Sequence, residues 1–268
     1  MTPTVNRLVR AVLPPCLLLL LVGCAWEAWV VAFKVPPFLL PRPTAVLSAL
    51  GDELPKYARA TWITASAALS GLALSIVVGT LTALLFSQSR VVRSSCYPYA
   101  IFLQTVPVIA VAPLIINWFG DGFLSITLVA FILSLFPIIS NATAGMLDVD
   151  PDLVDLFRIH SASRWQVLFK LRVPNSVPAL ITGVRTSCGL VVIGAIVGEF
   201  FAAFEQGQQG LGSLIRQLAN LLRTDELFAA VFASTFLGVA IFAVVTVGGE
   251  MILSRWYDRS RNNHTHSR

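Results

Sequence analysis

Six long apolar runs, at roughly 11–33, 61–86, 97–119, 123–145, 176–201 and 227–253, constrain this chain more than any other feature. A helix of about 20 residues crosses the hydrocarbon of a bilayer, and each run reaches that length. Backbone polar groups in lipid must be paired within the segment, so the runs are expected to be helices. A soluble alternative fails on charge. Only 12% of the 268 residues are charged and 56% are hydrophobic, where a soluble domain carries about 25% charged residues. The expected fold class is therefore an all-α membrane protein with six transmembrane helices, forming one domain over residues 1–268.

The first run contains Leu21-Val22-Gly23-Cys24 after Arg7 and Arg10, a pattern like a lipoprotein cleavage box. The run continues past Cys24 as AWEAWVVAF, so an uncleaved first helix is expected. Lys and Arg set the topology. With a cytoplasmic N-terminus, twelve basic residues fall on the inside and six on the outside, which favours both termini inside. The net charge of +5 is thus a topology signal, and no nucleic-acid partner is expected. Cys16, Cys24, Cys96 and Cys188 lack metal or redox spacing and read as packing residues. Ala67, Gly71, Ser75, Gly79 and Ala83 recur at every fourth position of the second run, a seam for close helix packing within one chain or between two. The polar tail RSRNNHTHSR is expected to fray, and His264 and His266 in it to bind no metal.

Residues 152–174, DLVDLFRIHSASRWQVLFKLRVP, break the apolar pattern. Leu153, Leu156, Phe157 and His160 share one face of a first helix, with Asp152 and Asp155 in its first turn. Ser161-Ala162-Ser163 interrupts it. Ser163 and Gln166 form an S-x-x-Q capping box that starts a second helix, with Trp165, Leu168, Phe169 and Arg172 on one face and Pro174 as its expected end. An amphipathic hairpin of this kind can lie on lipid, pack on its own helix ends, or present side chains to a cytoplasmic protein.

The stretch resembles the cytoplasmic signature loop of ABC-importer permeases of the nitrate/sulfonate/taurine type, E-A-A-x-x-x-G-A-S-x-W. The likeness runs through Ala162, Ser163, Arg164, Trp165, Gln166 and Pro174, and on to Pro178, Gly183 and Arg185. The E-A-A triplet is Asp155-Leu156-Phe157 here, and the loop glycine is Ser161. Elsewhere Leu40-Pro41-Arg42-Pro43, Gln104-Thr105-Val106-Pro107, Trp118-Phe119-Gly120, Phe136-Pro137, Gly198-Glu199 and Gly210-Leu211-Gly212 resemble further family motifs in the same order.

The resemblance implies a type I ABC importer permease fold in the bacterial inner membrane, with the coupling loop at about 150–174 between the fourth and fifth helices. Its coupling residues would be Asp155, Arg158, His160, Ser161, Ala162, Ser163, Arg164 and Trp165, with Phe157, Trp165 and Phe169 anchoring the hairpin and charges meeting the partner. The implied partners are two copies of an ABC ATPase, a periplasmic or lipid-anchored solute-binding protein and a second permease copy. The implied cargo is a small solute such as nitrate, bicarbonate, a sulfonate, taurine or a pyrimidine precursor. A pathway between two copies of helices three to five would draw on Gln104, Thr105, Asn117, Asn141, Thr182 and Cys188, with Glu199 at its outer end.

The chain carries no ATP site of its own. A P-loop needs Gly-Lys, and none of Lys34, Lys56 and Lys170 follows a glycine. ATP and Mg are therefore expected on the partner, and this chain is expected to hold no cofactor. The glycine-rich Gly207 to Gly212 reads as a turn. Glu27, Arg185, Glu199 and Glu250 are the charged residues inside the runs; Glu27 and Glu250 read as structural, Arg185 as a brace. An ion-gradient carrier would show inverted repeats and midplane acid pairs, and neither is visible.

Overall fold

The structure is a computed structural model that describes the backbone of residues 3–203 and 209–265, and the side chains of 13–14, 17–203 and 209–254. Among the described residues every regular element is helical: α1 (Pro3–Ala32), α2 (Pro43–Asp52), α3 (Leu54–Gln88), α4 (Arg90–Thr105), α5 (Val108–Phe119), α6 (Phe123–Leu147), α7 (Pro151–Ile159), α8 (Arg164–Val167), a π-helical turn (Leu168–Arg172), α9 (Val173–Phe201), α10 (Leu211–Asn220) and α11 (Thr224–Thr265).

The core is a three-helix layer of α3, α6 and α9, built where small residues let backbones meet. Ala67, Gly71, Ser75, Gly79 and Ala83 are all buried. A Cβ at Gly71 would stand 2.8 Å from Ala130 Cβ, and one at Gly79 2.8 Å from Ile138 Cγ2. The stripe therefore packs inside the chain, against α6. α9 closes on the same residue: a Cβ at Gly194 would sit 2.6 Å from Ala130 Cα. Serines tie the layer together. The Ser75 and Ser134 hydroxyls are 2.7 Å apart, and Ser187 donates to the Ser134 carbonyl at 2.8 Å. Such bonds add roughly 0.6 kcal/mol each in a membrane, so close packing carries most of the cohesion. Gly194→Ala is expected to destabilise the fold by about 1–3 kcal/mol, because the atoms it would strike are backbone and cannot rotate away. Thermal unfolding in detergent checks this; an unchanged Tm would remove the tight seam as the source of cohesion.

α10 and α11 cover the outside of this layer, and α1 stands apart. Leu17 to Leu21 are each more than half exposed, so this stretch of α1 is left for lipid or another chain. Trp26 packs on Phe228 and Phe232, with ring centroids 5.7 and 6.4 Å apart. Glu27 caps α2, accepting from the Thr44 backbone N–H at 3.2 Å and from its hydroxyl. The starts of α3 and α11 are clamped by a charge cluster. Lys56 pairs with Glu53 and with the buried Glu226 (3.0 Å), Arg223 pairs with Glu226, and the Tyr57 hydroxyl donates to the Glu226 carbonyl. Arg185 was expected to brace the coupling loop or the helix ends, but it reaches α11 instead: it donates to the Thr246 carbonyl at 3.1 Å and faces Glu250 at 3.7 Å.

Several expectations need correction. Four helices are individually long and apolar enough to cross a membrane: Leu54–Gln88, Phe123–Leu147, Arg164–Phe201 and Thr224–Ser254. The expected span at 97–119 is instead two helices, α4 and α5, bent by 98° at Val106-Pro107. Val106 is extended (φ −69°, ψ 126°) because the ring of Pro107 disfavours helical backbone in the residue before it. The expected first span lies in α1, whose described apolar stretch is the shorter Leu17–Ala32. Among the described residues, four helices therefore pass as spans on their own, or five with the bent pair counted as one, beside α1, which covers the expected first run. Pro174 does not end a helix. The chain stays helical from Arg164 to Phe201, and the Val173 N–H reaches back five residues to the Leu168 carbonyl. This wider π turn sits directly before a proline that has no N–H to offer. Leu211 and Gly212 lie in α10 and not in a turn, while Gly207 lies outside the described residues. The tail is helical as far as Thr265, and the side chains of His264 and His266 lie outside the described residues.

Candidate functional site

The hairpin between α6 and α9 is built as its sequence dictates. Asp150 caps α7 by accepting from the Asp152 N–H at 2.9 Å, and Pro151 takes the first helical position. The Ser163 capping box forms in full: the Ser163 N–H donates to Gln166 Oε1 at 2.7 Å, and the Gln166 N–H donates to Ser163 Oγ at 3.3 Å. Between the two helices Ser161 has φ 53°, the left-handed conformation. This is the position where the family motif carries glycine. Ser161→Gly is expected to stabilise the hairpin by about 1 kcal/mol, since a side chain at positive φ costs roughly that much. Slower limited proteolysis of the hairpin would show it; faster cleavage would mean that the serine hydroxyl contributes more than the backbone loses.

The hairpin is anchored by different residues from those expected. Leu168 (2% exposed) and Leu171 (9%) are its buried residues. Arg172 donates to the Ser87 carbonyl at the end of α3. Phe157 is half-buried. Trp165 and Phe169 are 67% and 57% exposed and stack on one another, with centroids 5.9 Å apart and planes 12° from parallel. Leu153, Leu156 and Ile159 are exposed as well. The hairpin thus turns an apolar face outward. Trp165 and Phe169, four positions apart, share that face because α8 runs without a break into the π turn.

The charged hairpin residues are less engaged. Asp155 and Arg158 pair with each other at 3.0 Å in full view of solvent. Arg158, Arg164 and Arg172 line a small cleft of about 240 Å³ together with Ala162. His160 Nδ1 lies 2.8 Å from the Leu156 carbonyl, which fixes the ring at the end of α7.

The expected pathway residues do not form one group. Gln104, Thr105 and Asn117 are exposed on α4 and α5, the first two beside the 98° bend. Thr182 is exposed on α9 and donates to the Pro178 carbonyl. Asn141 is half-buried and donates to the Pro137 carbonyl at 2.8 Å. Cys188 is fully buried in the core. Glu199, near the end of α9, is also fully buried, against the start of α10. Its Oε2 accepts from the Gly212 N–H at 2.8 Å and from the Thr64 hydroxyl at 2.9 Å, and Thr64 Oγ1 in turn accepts from the Leu211 N–H at 2.8 Å. Ser213 donates to the Glu199 carbonyl oxygen at 2.9 Å. A Cβ at Gly210 would overlap the Glu199 carboxyl group, and one at Gly212 the Ile196 carbonyl. The Gly-Leu-Gly motif is therefore the bare backbone that lets a helix N-terminus close over a buried carboxyl group. Thr64 was not singled out from sequence, because a lone threonine in an apolar run carries no periodic signal.

The comparisons with known proteins agree with this architecture. The family described as binding-protein-dependent transport system inner membrane component matches residues 75–258. The riboflavin transport system permease protein RibX of Chloroflexus aurantiacus is 34% identical over 246 residues, 91% of this chain and 89% of that protein. The formylaminopyrimidine transport permease protein ThiX of Halalkalibacterium halodurans is 35% identical over 236 residues, 87% and 92% of the two chains. Among solved structures, an inward-facing MetNI methionine ABC transporter superposes with a TM-score of 0.60 at 16% identity, covering 74% of this chain and 95% of that one. The fold is therefore that of an ABC importer permease, and an ion-gradient carrier is not favoured. This multi-pass membrane chain belongs to the binding-protein-dependent inner membrane component family, the non-enzymatic permease subunits of ABC importers.

Proposed function

We propose that this chain is one of two identical permease subunits that import a small nitrogen heterocycle, a vitamin or vitamin precursor. An extracytoplasmic binding protein delivers the solute. Two copies of a separate ATPase, which hold the ATP and Mg, dock on the 151–172 hairpin. Both termini and the hairpin face the cytoplasm, in keeping with the excess of Lys and Arg on that side. The observation that carries the reading is the outward apolar face of the hairpin, with Trp165 stacked on Phe169, beside a cleft of three arginines suited to an acidic side chain. Depleted of charge at its centre and rimmed by polar groups, such a face has the make-up of a protein interface.

The substrate class rests on the relatives named for riboflavin and formylaminopyrimidine, which match over about nine-tenths of this chain. The taurine permease TauC of Escherichia coli is 28% identical over 81% of it. The test is purification of the tagged chain from its native operon in mild detergent, with its partners identified by mass spectrometry. Vesicles holding the complex are then assayed for uptake of riboflavin, formylaminopyrimidine and taurine. A stoichiometric P-loop ATPase and uptake of a heterocycle are expected. A chain that transports alone overturns the coupling assignment, and uptake of taurine alone overturns the substrate class.

A further inference from the structure

We infer that the cleft between α4 and the hairpin end of α6 binds the phosphate headgroup of an anionic phospholipid. The cleft encloses about 420 Å³ and is lined by Arg93, Ser94 and Tyr97 of α4 and by Ser140, Thr143 and Leu147 of α6.

Arg93 is half-buried, and no carboxylate among the described residues lies within ion-pair distance of it. A guanidinium removed partly from water without an anion is a costly arrangement. Thr143 adds a second, independent sign. Its side chain is 3% exposed and its hydroxyl has no partner. Thr82, Thr182 and Thr186 bond back to the carbonyl four residues earlier, whereas Thr80, Thr127 and Thr246 share the unpartnered state of Thr143 but do not line this cleft. The Thr143 hydroxyl is left for whatever enters the cleft. Tyr97 and Ser140 share a single bond at 3.0 Å, so one of their two hydroxyl protons is also left over. One cation and several hydroxyl donors converging on a cavity, with no acidic side chain in its lining, suit a phosphate.

Position selects a lipid as the source. Arg93 lies in the first turn of α4 and Leu147 at the last residue of α6, directly before the hairpin. Arg172 of the hairpin reaches the Ser87 carbonyl three residues before α4 begins, which places all of these at one end of the bundle. Moving along α4 away from that end, the cleft face runs Arg93, Tyr97, Ile101, and Ile101 is 43% exposed. A basic group at the membrane surface, then hydroxyls, then open apolar surface is the profile of an amphiphile with its tail in the bilayer. With the hairpin end cytoplasmic, as proposed above, the cleft faces the leaflet that holds anionic lipid. Basic pockets between transmembrane helices on that side bind such headgroups.

The test is native mass spectrometry of the permease–ATPase complex from nanodiscs of phosphatidylcholine with phosphatidylglycerol. Wild type is expected to retain phosphatidylglycerol in preference to phosphatidylcholine. Arg93→Gln is expected to lower that retention about tenfold, the factor carried by a lost charge-assisted hydrogen bond. Arg93→Lys should keep most of it. Thr143→Val, equal in volume, should lower it about threefold and serves if Arg93→Gln does not assemble. Retention equal to wild type in both Arg93→Gln and Thr143→Val overturns the inference. So does displacement of the lipid by millimolar inorganic phosphate, which would assign the cleft to a soluble anion. A Ser94→Cys variant that cross-links to a second copy of the chain overturns it in favour of a subunit contact. ATPase content is read in the same spectra, so the permease reading and the lipid site fail separately.

Discussion

The double variant Trp165→Ala, Phe169→Ala is expected to fold normally and to lose its ATPase, with association weakened roughly 100-fold, as befits removal of aromatic anchors at an interface centre. Both rings are more than half exposed, so little core packing is lost. They are stacked on each other before any partner arrives, which lowers the entropy of ordering them on docking. The charged residues should matter less. Asp155 and Arg158 already pair in solvent, and exposed pairs of this kind contribute about 0–1 kcal/mol. Arg158→Ala should therefore change the affinity only about threefold. Titration of the detergent-solubilised permease with purified ATPase measures both. If Arg158→Ala releases the ATPase while the aromatic variant retains it, the outward apolar face is not the docking surface.

Glu199→Leu is the second large effect. It is expected to lower stability by about 3–5 kcal/mol, because each buried donor left without its acceptor costs about 1–3 kcal/mol. Two donors lose their partner directly, the Gly212 N–H and the Thr64 hydroxyl. The third element of the network, the Leu211 N–H on Thr64 Oγ1, loses the residue that orients its acceptor. Glu199→Gln keeps an acceptor oxygen and should cost only about 1 kcal/mol. Thr64→Val and Glu199→Gln should be non-additive, since they share one network. Thermal unfolding of the four proteins in one detergent gives the cycle. A Glu199→Leu protein as stable as wild type but defective in transport would move Glu199 from the fold to the pathway.

The spans were legible because length and apolarity decide them. α3, α6, α9 and α11 each contain an apolar run that was visible in the sequence, and they extend beyond it at one or both ends. The bend at Val106-Pro107 was not legible, since proline alone does not decide it. Pro98, Pro113, Pro137 and Pro178 all sit inside intact helices. The hairpin's capping box was legible because it is local, with all of its partners within three residues. Which hairpin face turned inward was not, because α7 and α8 are amphipathic whichever side meets the bundle. Only the seating of Leu168 and Leu171 and the reach of Arg172 to Ser87 decide it. Glu199 was visible as a charge in an apolar run. Its partners lie thirteen and 135 residues away, so its role as a helix cap had no local signal.

The 98° elbow between α4 and α5 divides the surface of the subunit into two kinds. Pro107 has no N–H, so the Leu103 carbonyl loses the donor a continuous helix would give it, and Gln104 and Thr105 stand exposed beside it. Hydrocarbon does not tolerate irregular backbone of this sort, while protein or water does. The flank formed by α1 and by Phe236 and Val244 of α11 is apolar and exposed, and lipid can wet it. The elbow flank cannot be wetted in this way. At hydrocarbon depth, such an elbow is compatible only with protein or water against it, so a bilayer would act on the subunit as a sorting medium.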